Sequence, residues 1–92
     1  MIASFRSRAL KRFWERSDER RLPPDFVGRI AMILDRLDVA TRPEQMDAVG
    51  LGFHRLTGGM RGRYAVTVSR NWRVTFGWSG EDAVEVDLED YH

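Results

Sequence analysis

The spacing of apolar residues changes once along the chain, near its midpoint. Before it the period is that of a helix; after it the period is that of a strand. Residues 2–5, "IASF", form a short apolar start that reads as a first strand. In residues 7–16, Leu10, Phe13 and Trp14 share one helical face, with Ser7 placed to cap the first turn. Residues 16–22 are highly charged without an apolar period and read as the turn between helices. Pro23-Pro24 opens the second helix, because proline is tolerated in a first turn. Phe26, Ile30, Ile33, Leu34 and Leu37 then make the clearest stripe in the chain, and residues 42–49 add a further turn.

Past residue 52 the alternation is two-fold. Residues 52–56 predict a short strand, and residues 57–63, with three glycines and two arginines, a mobile loop. Tyr64, Val66 and Val68 alternate inward. So do Trp72, Val74, Phe76 and Trp78, with Arg73 and Thr75 outward and Arg70-Asn71 at the hairpin tip between the two runs. Residues 79–82 predict the next turn. Val84, Val86 and Leu88 then alternate with acids almost to the last residue, which pins Asp90, Tyr91 and His92 at the rim of a strand. The expected architecture is α+β: two N-terminal helices packed on a mainly antiparallel sheet of four to five strands. At 92 residues, one domain spanning 1–92 is expected.

Composition narrows the function classes. There is no cysteine, which excludes disulfides and thiolate metal sites. Arg6, Arg8, Lys11 and Arg12 interrupt the first apolar residues, so no signal peptide is read, and no apolar run approaches a membrane span. A cytoplasmic protein without membrane contact is the expectation. The net charge of +1 conceals segregation. Residues 48–80 hold five arginines and no acid; residues 81–92 hold six acids and no lysine or arginine; the first 22 residues carry seven bases against three acids. Arginine suits two-pronged contact with phosphate. An arginine-rich, solvated surface is the plainer reading, yet it does not account for 33 consecutive residues without an acid.

Cleaving RNA at a 2′-hydroxyl requires a group to take the 2′-proton, a group to protonate the leaving 5′-oxygen, and positive charge on the phosphorane between them. Imidazole or carboxylate serves the first two needs and arginine the third. His54, Arg73 and the terminal Asp90-Tyr91-His92 supply that inventory. Tyr91 can stack on a base, and Arg55, Arg61, Arg63 and Arg70 can hold flanking phosphates. Against this, Arg73 can simply pair with Glu85, Asp87 or Glu89 across the sheet. The glycine loop lacks the spacing of a Walker-type phosphate cradle.

The stretch "FHRLTGGMRGRYAVTVSRNWRVTF" with the closing "VEVDLEDYH", preceded by "MIASFRSRALKRFWE", resembles the HigB-type toxins of the RelE/ParE toxin–antitoxin superfamily. The resemblance spans essentially the whole chain. It is most specific in residues 71–76 and in "DYH". It implies a RelE-like microbial ribonuclease fold and a ribosome-dependent mRNA endonuclease that cuts in the ribosomal A site and so inhibits translation. It implies no metal and no cofactor. The implied partners are a helix-turn-helix antitoxin of the HigA type, the ribosome and mRNA, with DNA contacted only through the antitoxin. On this resemblance His54 and His92 are the catalytic histidines, Asp90 and Tyr91 the terminal acid and phenol, Arg73 the phosphate-stabilising arginine and Asn71 its support. Thr57 stands where the family often has a lysine, so Arg55 or Arg61 is expected to carry that charge. The rival readings are a ParE-like gyrase-inhibiting toxin and a catalytically weakened binding module.

Overall fold

A computed structural model describes residues 1–90. Two helices, α1 (Arg8–Arg16) and α2 (Val27–Val39), precede four strands: β1 (His54–Arg55), β2 (Tyr64–Thr67), β3 (Trp72–Ser79) and β4 (Asp82–Asp90). The strands form one sheet in the order β1-β2-β3-β4, with every neighbouring pair antiparallel. The α+β expectation is met.

Local chemistry explains the helices. Ser7 accepts from the Leu10 backbone N–H at 3.1 Å, the predicted cap, and Ser17 ends α1 in the left-handed conformation (φ 56°). Pro24–Phe26 makes a 3-10 turn that leads into α2. Leu10 of α1 and Ile30, Ile33, Leu34 and Leu37 of α2 are fully buried against Val66, Val74, Phe76 and Val86 of the sheet. Burying such a side chain contributes about 1.5–3 kcal/mol, so this stripe carries much of the fold's stability. Residues 57–63, the expected loop, hold a sequence of hydrogen-bonded turns, with Met60 N–H on Thr57 O and Arg63 N–H on Met60 O.

Two departures from the sequence pattern shape the sheet. The expected first strand is instead a pair of isolated parallel bridges, Ile2 to Ala83 and Phe5 to Val86. The pairing is interrupted because β4 carries a bulge there. Gly77 pairs with Val84 and Thr75 with Asp87, so Glu85 and Val86 together face the single residue Phe76. Glu85 takes φ 52°, a left-handed conformation that disfavours any residue but glycine. Side chains hold it there: Ser4 Oγ accepts from Glu85 N–H (2.9 Å), Arg63 Nη2 donates to Glu85 O (2.8 Å), and Arg6 Nε lies 3.6 Å from Glu85 Oε2. The alternation of Val84, Val86 and Leu88 is therefore not one face. Ala83 and Val86 are buried in the core, whereas Val84 shares the outer face with Gly77.

Candidate functional site

The register defines a face on the side of the sheet away from the helices. Pairing His54 with Ala65, Ala65 with Thr75 and Thr75 with Asp87 sets one row across all four strands; Thr67, Arg73 and Glu89 make the next row. β1 and β3 are two strand spacings apart, roughly 10 Å between backbones, so His54 and Arg73 lie on one face of the sheet at least about that far apart.

The imidazole of His54 is oriented. Its Nδ1 lies 2.9 Å from Gly52 O, and because a carbonyl only accepts, Nδ1 carries the hydrogen. Nε2 is thereby the nitrogen that exchanges protons. Gly52 adopts φ +59°, and its loop is fastened to β2 by Arg29, which donates to Gly50 O (2.6 Å) and Thr67 O (2.7 Å). Arg29 has no counterpart in the sequence reading; no local pattern separates it from the other helix arginines.

Arg73 is mostly buried, with its Nη2 at 3.7 Å from Glu89 Oε1. This is one of the cross-strand pairings that charge alternation allowed. Glu89 Oε2 accepts a short hydrogen bond from Thr75 Oγ1, and Thr75 accepts from Arg63 Nη2 at 3.0 Å. Expected outward, Thr75 does lie on the outer face, yet it is fully buried because the Arg63 side chain covers it. Arg63 Nε is itself buried and has no hydrogen-bond partner among the described residues. Burial, with Arg6 nearby, lowers the pKa of Arg63, while Glu89, Asp87 and Glu85 act in the opposite direction. An arginine remains charged through such a shift. At Gly77 a Cβ would press on Val84 Cγ2 at 3.3 Å and reach only ordinary contact with Arg63 Nη1 at 3.8 Å.

The remaining predicted residues scatter. Arg55 falls on the opposite face of β1 from His54, where it pairs with Glu44 at 2.6 Å and lies 5.9 Å over the Tyr64 ring. Arg63 is a sheet tie as described. Arg61 and Arg70 are exposed and make no ion pair among the described residues. Asn71 is exposed in the β2–β3 turn, its N–H on Ser69 Oγ at 3.3 Å. Asp90 pairs with Trp72, one position out of step with the Arg73–Glu89 row. Tyr91 and His92 lie outside the described residues. The acid that the sheet brings to Arg73 is thus Glu89. Among the described residues no group of three or more His, Asp or Glu could hold a metal ion, and no helix is long and apolar enough to cross a membrane.

Residues 3–92 match the family described as RelE-like toxin of type II toxin-antitoxin system HigB. A curated protein of Proteus vulgaris named Endoribonuclease HigB is 35% identical over 92 residues, the full length of both chains.

Proposed function

Since the chain belongs to the HigB-like, RelE-like toxins of type II toxin–antitoxin systems, we propose that it is an endoribonuclease that cuts mRNA in the ribosomal A site and so arrests translation. The observation that carries this reading is the placement of an oriented imidazole, His54, and of Arg73 on the same face of the sheet. In the proposed reaction a base removes the 2′-proton and the 2′-oxygen attacks phosphorus. The P–O5′ bond then breaks and an acid protonates the departing 5′-oxygen, leaving a 2′,3′-cyclic phosphate and a 5′-hydroxyl. His54 Nε2 holds one of the two proton positions and Asp90 or His92 the other. Arg73 stabilises the phosphorane, and Tyr91 stacks on or orients the base. Arg61, exposed beside Thr57, is the better placed replacement for the family's lysine, since Arg55 is tied to Glu44.

A second basic surface supports the ribosome as the platform. Arg8, Arg12 and Arg16 recur every fourth residue along α1, with Lys11 beside them. All four are exposed and form no ion pair among the described residues. Such a stripe suits a phosphate backbone. The antitoxin that completes the system is, in this reading, a HigA-type helix-turn-helix protein, and the site of action is the cytoplasm.

The test is to map cleavage of a defined mRNA by purified protein with and without ribosomes and with a chelator present. Wild type is compared with His54→Ala, Arg73→Ala and His92→Ala. Ribosome-dependent cuts that survive the chelator and fall at least about 100-fold in Arg73→Ala are expected. Absence of cuts by folded wild type under every condition sinks the reading.

A further inference from the structure

Arg63, just before β2, with Thr75 and Arg73 of β3 and Glu89 of β4, forms a chain of side chains whose hydrogen-bond direction is fixed by chemistry. Arg63 can only donate and an ionised Glu89 can only accept. The single hydroxyl proton of Thr75 therefore goes to Glu89, while its oxygen accepts from Arg63 at 3.0 Å. Thr75 is fully buried, so its hydroxyl has no solvent alternative. One carboxylate oxygen of Glu89 is committed to this bond, and the other is the one nearest Arg73, at 3.7 Å, beyond hydrogen-bond length.

Arginine and carboxylate left to themselves close into a two-pronged pair with both oxygens engaged, at about 2.7–2.9 Å. Here Arg73 and Glu89 are directly opposed across β3 and β4, the arrangement in which that closure is easiest. We propose that Thr75, clamped by Arg63, withholds Glu89 from Arg73 and so makes Thr75 a positioning residue for the guanidinium that meets the scissile phosphate. The inference rests on the assignment of Arg73 to the phosphate. A closed pair would make the RNA phosphate compete with a carboxylate for the same fork. The clamp is built into the fold: the same Arg63 Nη2 that donates to Thr75 also donates to Glu85 O, the carbonyl of the β4 bulge.

The experiment uses ribosome-bound mRNA and the full chain, with kcat and KM measured separately and a thermal midpoint recorded for each variant. Thr75→Val keeps the side-chain shape and removes the hydroxyl. Expected is a loss in kcat of about tenfold or more with KM changed less than about threefold. Adding Glu89→Gln removes the carboxylate that would close on Arg73. The double variant should therefore regain a rate within about threefold of wild type, a recovery that simple destabilisation cannot produce. If Thr75→Val does not fold, Thr75→Cys, nearly isosteric with a weak S–H donor, takes its place and should lose several-fold in kcat, again restored by Glu89→Gln. Wild-type kcat in the Thr75 variants, or a double variant no faster than Thr75→Val, overturns the proposal. Arg73→Ala separates the levels. If it alone is inactive while the Thr75 variants are normal, only the positioning role falls. If Arg73→Ala cleaves like wild type, the site assignment falls and the inference with it.

Discussion

Gly52→Ala tests how tightly the fold holds its histidine. Gly52 sits at φ +59°, where an alanine costs about 1–2 kcal/mol more than a glycine. The added Cβ would also lie 2.7 Å from Thr67 Oγ1, closer than such atoms approach, and overpacking of this kind costs about 1–3 kcal/mol. The backbone is held on both sides, so relief must come from rotation of the Thr67 side chain. Thr67 N–H is bonded to Leu51 O at 2.7 Å, and Arg29 grips both Gly50 O and Thr67 O. A total of about 3 kcal/mol translates into a fall in thermal midpoint of roughly 12–24 °C for a chain of this size. The carbonyl of Gly52 is the partner of His54 Nδ1, so its displacement should also misdirect the imidazole. Measured well below the midpoint, where the variant is folded, mRNA cleavage should fall at least about tenfold. Thr67→Ala in the same chain removes the clash but not the backbone cost. It should restore about half of the lost midpoint and most of the rate, a coupling of about 1 kcal/mol or more. A Gly52→Ala protein with wild-type midpoint and rate refutes the geometry. Strict additivity of the two substitutions refutes the clash.

Three further outcomes are expected. Arg63→Met removes the donors to Thr75 Oγ1 and Glu85 O, leaving a buried hydroxyl and a bulge carbonyl short of partners; chemical denaturation should show a loss of about 2–4 kcal/mol. Replacing Arg8, Arg12 and Arg16 together by Gln should raise KM for ribosome-bound mRNA and flatten its dependence on salt, with kcat unchanged; an unaltered salt slope removes α1 from the interface. Hydrogen bonds from the Arg20 side chain, then from its backbone N–H, hold the Asp18 carboxyl well below the usual carboxylate range. Because the folded value is the lower one, the contribution is complete above the unfolded value, about 3.9, and is lost as pH falls toward the folded value. The midpoint gap between wild type and Asp18→Asn should be full at about pH 6 and narrow below about pH 4; a gap that widens on acidification contradicts the sign.

Much of this protein was legible in its sequence because the controlling interactions are local. Helix α2 follows from a stripe of Ile30, Ile33, Leu34 and Leu37 behind a proline start, and α1 from Ser7 and its apolar face. The strands β2 and β3 follow from alternation, and the family from motifs read in order. Which arginines face a ligand was not legible, since Arg55 and Arg63 differ from Arg61 and Arg70 only in the groups that tertiary packing brings to them: Glu44 to the first, Thr75 and Glu85 to the second.

The decisive case is β4. Its sequence alternates acids with Val84, Val86 and Leu88 as though one face ran its whole length. The bulge at Glu85 resets the phase midway, buries Ala83 and Val86 together and delivers Glu89 to Arg73. Nothing adjacent to Glu85 calls for a left-handed residue there. Ser4, 81 positions away in the chain, and Arg63, 22 positions away, supply the hydrogen bonds that offset its strain. A two-fold pattern records which residues can alternate. Where the alternation slips is set by partners that only the folded chain brings within reach.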